Sequence, residues 1–198
     1  MQIDRILYPI TSLCPGERLV IWTIGCSKHC YNCANPELWE KQPAKNVDVN
    51  QLFELIKNAV KGKKIDWITI TGGDPLEQIP ELVKLLPLLH EITDDILVYT
   101  GYTVAEISDL LSGDGDTVAT DSDWVTLKKY ITVLIDGSYI DLQNDNQSVL
   151  RGSTNQNLIY FDESKKVIYE AYMEKGRTIQ NVFHKDKMIS VGIHNTSS

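Results

Sequence analysis

The chain has 198 residues, of which 42% are hydrophobic and 23% are charged, a composition typical of a soluble globular protein. No apolar run approaches the roughly 18 residues of a membrane span, and the N-terminus lacks the pattern of a secretory signal. The net charge is −8, and residues 71–146 carry 15 acidic and 3 basic side chains, which disfavours direct nucleic-acid binding. We therefore expect a cytoplasmic protein with no membrane association, in which clustered cysteines are metal ligands more often than disulfides.

Apolar runs rich in β-branched residues alternate with helical patterns along most of the chain. Strands are predicted in four ranges: 18–25, 65–70, 95–100 and 130–137. Helices are predicted in three ranges: 48–62, 76–92 and 103–113. Asp48 is placed to cap the first helix, Pro87 interrupts the second pattern, and Thr103 and Glu106 have capping-box spacing. Strands separated by helices pair in parallel through right-handed crossovers, so the sequence predicts an α/β fold.

The C-terminal part of the chain departs from this alternation. Residues 114–123 form a polar stretch that predicts a loop. Residues 157–172 predict two strands around a Glu-Ser turn, and residues 189–193 predict a short further strand.

A chemically distinctive segment follows each of the four predicted strands. These segments are a loop of three cysteines, TGGDP, GYT and DGSY, in chain order. In parallel sheets, binding and catalytic groups gather at the C-terminal ends of the strands. The sequence therefore predicts one functional site at that edge of the sheet.

The segment GCSKHCYNCANPELW, residues 25–39, is termed here the cysteine loop and contains Cys26, Cys30 and Cys33. A structural zinc site takes four ligands, usually from two separated pairs, and the only nearby candidates for a fourth are Cys14 and His29. A fully protein-ligated 4Fe–4S cluster also needs four donors. The spacing C-x3-C-x2-C instead suits a cluster that leaves one iron open for a substrate or cofactor. A zinc-stabilised or cluster-stabilised interaction protein remains an alternative.

The chain resembles the radical S-adenosylmethionine (SAM) enzymes, and within them the activating enzymes of anaerobic ribonucleotide reductase. Five motifs carry the resemblance in the family's order: GCSKHCYNCANPELW, TGGDPLEQ, VYTGYT, VLIDG and RGSTNQ. Together they span roughly residues 10–160. The resemblance implies a partial, half-open parallel β/α barrel in residues 1–157. Residues 158–198 would form a small C-terminal β extension packed on that core.

The resemblance also implies roles for individual residues. Cys26, Cys30 and Cys33 would bind three irons of a 4Fe–4S cluster, and the fourth iron would bind SAM. The residues expected at the cofactor are Asn32, Gly72, Gly73, Asp74, Tyr99, Thr100, Asp136, Arg151 and Ser153. Glycines allow close backbone approach, and Asp74 can accept hydrogen bonds from the methionine ammonium group. Many family members carry an aromatic residue where this chain has Asn32, so contact with adenine by Tyr31 or Asn32 stays open.

The implied reaction begins with reduction of the cluster by an external donor such as flavodoxin or ferredoxin. Reductive cleavage of SAM then gives a 5′-deoxyadenosyl radical, which abstracts a hydrogen atom from the substrate. In the resembled family the substrate is a backbone glycine of a partner reductase, a glycyl-radical enzyme. A radical SAM enzyme that acts on another peptide or small molecule is the closest alternative.

Overall fold

The computed structural model describes residues 1–63, 65–112, 121–184 and 186–195. Six strands form one sheet in chain order: β1 (Ile3–Ile10), β2 (Arg18–Thr23), β3 (Trp67–Gly72), β4 (Ile96–Tyr99), β5 (Val133–Asp136) and β6 (Asn157–Tyr160). The four central strands are parallel, and the edge strands β1 and β6 pair antiparallel with β2 and β5. The sheet is open, because β1 and β6 lie at opposite edges and do not pair with each other.

Five α-helices and a separate hairpin complete the described chain. The helices are α1 (Val49–Val60), α2 (Ile79–Leu89), α3 (Val104–Ser112), α4 (Asp121–Tyr130) and α5 (Lys166–Met173). The hairpin consists of β7 (Ile179–His184) and β8 (Lys187–Gly192). Among the described helices, none is long and apolar enough to cross a membrane.

Both faces of the sheet are buried, which is why its strands are continuous apolar runs. Alternate residues of β2 show the division. Ile21 packs with α1 and α2 on one face, whereas Val20 and Trp22 pack on the other face with Val191 of the hairpin. Further along that second face, Tyr169 of α5 packs against β4 and β5. The C-terminal elements therefore take the place that a second helical layer occupies in doubly wound folds.

The central strands and the first three helices agree with the sequence predictions to within a few residues. Asp48 caps α1 by accepting hydrogen bonds from the backbone N–H groups of Asn50 and Gln51. The capping box of α3 is formed: the Thr103 N–H donates to Glu106 Oε2 over 2.8 Å, and the Glu106 N–H donates to Thr103 Oγ1 over 3.2 Å. Pro87 lies within α2 and does not end it.

The predicted second strand of the tail is wrong, because residues 166–173 form α5. Its β-branched and aromatic residues favour a strand locally, but Tyr169 and Tyr172 are three positions apart and share the buried face of a helix. The prediction also missed β1, α4 and β7. Residues 121–123 of the predicted polar loop begin α4, and residues 114–120 lie outside the described residues. The predicted boundary between residues 157 and 158 falls within β6.

A buried polar cluster joins α5 to the sheet. Arg18 and Asp95 are both fully buried, and Arg18 Nη2 lies 2.9 Å from Asp95 Oδ1. The same guanidinium donates to the backbone oxygen of Ile68 over 2.8 Å, and the Tyr169 hydroxyl donates to Asp95 Oδ1 over 2.6 Å. Three elements distant in sequence are thus tied together by charge-assisted hydrogen bonds.

Candidate functional site

A cavity of about 650 Å³ opens at the C-terminal ends of the central strands. Its lining comes from the cysteine loop, from the segments that follow β3, β4 and β5, and from the end of the hairpin. The four segments singled out in the sequence therefore meet at one place, as the predicted parallel pairing of the strands requires.

The cysteine loop is closed at its base by backbone hydrogen bonds. The Gly25 N–H donates to the Leu38 oxygen over 2.8 Å, and the Cys26 N–H donates to the Trp39 oxygen over 2.9 Å. Leu38 is buried, and the Trp39 ring stacks on His29 with 4.7 Å between ring centroids. His29 is thus packed against an aromatic ring at the loop surface.

All three cysteines of this loop are half-buried and line the cavity. Burial raises the pKa of Cys26 to about 11, so metal binding there would have to displace the proton of a neutral thiol. Cys14 is fully buried, lies outside the cavity lining and contacts Thr69 with 3.9 Å between Oγ1 and Sγ. Cys14 is therefore a residue of the hydrophobic core and not a candidate ligand at the cavity.

The donor set fits an iron–sulfur cluster better than a single metal ion. Within the described ranges, no three Cys, His, Asp or Glu side chains are grouped to hold one ion. Each cysteine of a 4Fe–4S site binds a different iron, so its thiols need not converge on one point. Three thiols lining one cavity agree with a cluster that has three protein ligands.

Residues 72 and 73 place the segment after β3 directly against the cysteine loop. The Gly73 N–H donates to the Thr23 oxygen over 2.9 Å, and the Asp74 N–H donates to the Gly25 oxygen over 2.7 Å. A Cβ atom on Gly73 would lie 2.5 Å from the Gly25 oxygen, so only glycine allows this approach. Gly72 has φ of +116°, and a Cβ there would meet the Thr23 backbone at 2.4 Å.

The carboxylate of Asp74 is buried and joins two cavity-lining segments. It accepts hydrogen bonds from the Leu76 N–H over 2.9 Å, from the Gly101 N–H over 2.7 Å and from the Thr100 hydroxyl over 2.9 Å. Burial raises the pKa of Asp74 to about 6, although these donors oppose the shift. Asp74 thus holds the segments after β3 and β4 in register at the cavity.

The other sequence-predicted residues separate into two groups. Asn32, Tyr99 and Thr100 line the cavity, and no described residue forms a hydrogen bond with the buried Tyr99 hydroxyl.

Asp136, Arg151 and Ser153 do not line the cavity but brace its walls. Asp136 accepts from the backbone N–H groups of Val104 and Asn157. Ser153 Oγ accepts from the Ile140 N–H over 3.1 Å, and Arg151 donates to the Gln156 oxygen over 2.9 Å.

Several lining residues were missed from sequence, namely Lys28, Tyr139, Asp141 and the hairpin end at residues 192–195. Arg177 holds that end in place by donating to the His194 oxygen over 3.1 Å and to the Ser148 oxygen over 2.7 Å. Tyr139 ends the DGSY segment that was expected at the site, although it was not assigned a role, and Asp141 lies two residues further on, so both positions could have been inferred from β5. Residues 192–195 carry no motif that would reveal their role.

Comparison with known proteins assigns the chain to a family. A family model described as "4Fe-4S single cluster domain" matches residues 13–159. An anaerobic ribonucleoside-triphosphate reductase-activating protein of Pasteurella multocida is 32% identical over 169 residues, covering 81% of this chain and 99% of that protein. Proteins of the same name from phage T4 and Escherichia coli K12 are 32% and 30% identical, covering 80% and 72% of this chain and 93% and 87% of their own lengths.

The chain belongs to this family. The resemblance inferred from the five motifs is therefore confirmed, and with it the 4Fe–4S cluster and SAM as the cofactors. The match of the family model includes all three cysteines of the loop and ends at residue 159, before α5 and the hairpin. The chain is thus an enzyme of this family, and residues 192–195, which lie beyond the matched range, also line its cavity.

Proposed function

We propose that this protein is the activating enzyme of an anaerobic ribonucleoside-triphosphate reductase and introduces a radical at a backbone glycine of that partner. The observation that carries the proposal is the convergence of three half-buried cysteines and the glycine segment of β3 on one cavity, in a chain of this family. When bound, the cluster and SAM supply one-electron cleavage of a carbon–sulfur bond and the hydrogen-atom abstraction that follows.

The residues of this chain bind and orient these groups. Cys26, Cys30 and Cys33 would hold the cluster as thiolates at the inner wall of the cavity. Gly72 and Gly73 let the segment after β3 pack against the backbone at Thr23 and Gly25. Together with Tyr99 and Thr100 they line the space proposed for the methionine part of SAM. Asp136, Arg151 and Ser153 would act on the cofactor indirectly, by fixing the walls.

We also propose how the cluster is reduced and how a protein substrate reaches the cavity. An external donor of the flavodoxin or ferredoxin class would reduce the cluster, in a reducing cytoplasm. We propose that the open sheet is the half-open barrel inferred from the motifs. The space it leaves uncovered would admit a protein substrate. The division into a core and a C-terminal extension stays a prediction.

Replacing Asp74 by asparagine is expected to weaken SAM binding on the order of tenfold to a hundredfold while iron is retained. The NH2 group of the asparagine would face one of the N–H or hydroxyl groups that now donate to the Asp74 carboxylate. The negative charge that favours the ammonium group of SAM would also be lost. Equilibrium binding of SAM to anaerobically reconstituted protein measures this. Asp141→Asn, a half-buried carboxylate lining the same cavity, is the matched control. Unchanged SAM affinity in Asp74→Asn would limit Asp74 to its structural role.

The function is tested by mixing reduced, reconstituted protein and SAM with the anaerobic reductase of the same organism. Electron paramagnetic resonance should detect a glycine-centred doublet, together with stoichiometric formation of 5′-deoxyadenosine. Cleavage of SAM without that doublet would favour the alternative of another peptide or small-molecule substrate. If neither the doublet nor 5′-deoxyadenosine is formed, radical SAM chemistry is contradicted. That result would favour a zinc-stabilised or cluster-stabilised interaction protein.

A further inference from the structure

Three exposed apolar side chains lie next in sequence to residues that line the cavity. Tyr31, Ile140 and Leu142 are 77%, 40% and 96% exposed. Tyr31 lies between the lining residues Cys30 and Asn32, whereas Ile140 and Leu142 flank the lining residue Asp141. Single exposed apolar residues are ordinary on protein surfaces, but these three alternate with residues of one cavity.

The two segments that carry these side chains are in contact. Cys30 lies against the backbone of Tyr139 and the side chain of Ser138, one or two residues from Tyr31 and Ile140. Tyr31 and Ile140 therefore belong to neighbouring segments of the cavity wall. These three side chains are termed here the apolar rim.

The backbone that presents Ile140 and Leu142 is fixed from several sides. The Ile140 N–H donates to Ser153 Oγ over 3.1 Å, and the Thr154 N–H donates to the Gln143 oxygen over 2.9 Å. The Tyr139 hydroxyl donates to Asp141 Oδ1 over 2.8 Å. A loop that is already ordered loses little conformational entropy when a partner docks on it. Leu142 is thus exposed on an ordered loop, where burying it against a partner would cost little conformational entropy.

We propose that the apolar rim is the docking surface for the polypeptide segment that carries the target glycine, and that it contacts apolar side chains on either side of that glycine. This inference rests on the proposed function. Glycine has no side chain to be recognised, so its selection has to come from flanking residues. Because the glycine backbone must enter the cavity, those flanking residues lie against the mouth, where the rim is continuous with the reaction site. Specificity then comes from the burial of apolar surface at the entrance.

The inference is tested with Leu142→Ser and Ile140→Ser, alone and combined, against Val167→Ser as the matched control. Val167 is 72% exposed on α5 and does not line the cavity. The reductase concentration that gives half-maximal glycyl radical formation should rise on the order of tenfold in the combined variant. This concentration should equal the wild-type value in Val167→Ser, and also in Leu142→Met, which keeps an apolar side chain at the rim. SAM cleavage in the absence of reductase should be unaffected in all of these proteins.

Direct binding of the purified reductase to immobilised, reconstituted protein separates this inference from the proposed function. Weaker binding by the rim variants, with the control unchanged, supports the rim whether or not a radical forms. Equal binding by wild type and the combined variant overturns it. If wild-type protein forms no radical on the reductase, the proposed function fails while the binding comparison still decides the role of the rim.

Discussion

Alanine at Cys26, Cys30 or Cys33 is expected to abolish the iron–sulfur cluster and all SAM cleavage. Each thiol would bind a different iron, so loss of one leaves the cluster with two protein ligands on the wall of an open cavity. Anaerobically reconstituted wild type should contain about four irons per chain and each variant less than about one. Iron analysis together with the visible absorption spectrum measures this directly.

Cys14→Ala is the matched control for these variants. Cys14 is the one cysteine outside the loop: it is fully buried against Thr69, does not line the cavity, and burial raises its pKa to about 12. It should retain full iron content. Full iron loading in Cys30→Ala would contradict the assignment, as would stoichiometric zinc without iron in protein purified without oxygen.

The sequence was most informative where local pattern and chemistry agree. The β-branched run of β2 followed at once by three cysteines predicts both a buried strand and the edge at which the site lies. Gly72 and Gly73 belong to the segment that was predicted to reach the same edge after the next strand, and both line the cavity. Neighbouring positions in one strand–loop unit determine these features.

Features that depend on contacts between distant segments could not be inferred in the same way. α5 has the β-branched and aromatic composition of a strand, and only the burial of Tyr169 and Tyr172 against the sheet selects a helix. Asp74 lines the cavity, but the hydrogen bonds that its carboxylate accepts from Thr100 and Gly101, after the next strand, were not predicted. His194 and Asn195 reach the cavity only because Arg177 fixes their segment, an interaction for which the sequence has no signature.

Removing one partner of the buried Arg18–Asp95 pair is expected to lower the free energy of unfolding by about 3–5 kcal/mol, the largest stability effect anticipated outside the cluster. In Arg18→Met, the Asp95 charge would remain in a site without solvent, where Oδ2 already lacks a hydrogen-bond partner among the described residues. Tyr169 would keep its hydrogen bond to Asp95 but lose the cation beside it. Denaturant unfolding of the metal-free protein under reducing conditions measures the change.

The neighbouring pair Lys165–Asp94 provides the matched control, because it joins the same two parts of the chain at the surface. Lys165 Nζ lies 2.8 Å from Asp94 Oδ2, and the Asp94 side chain is 72% exposed. Lys165→Met should therefore cost less than about 1 kcal/mol. The double variant Arg18→Met/Asp95→Leu should be less destabilised than the sum of its single variants, because an apolar pair leaves no buried charge without a partner. Additive losses, or a loss in Arg18→Met as small as in Lys165→Met, would show that the ion pair does not anchor α5 to the sheet.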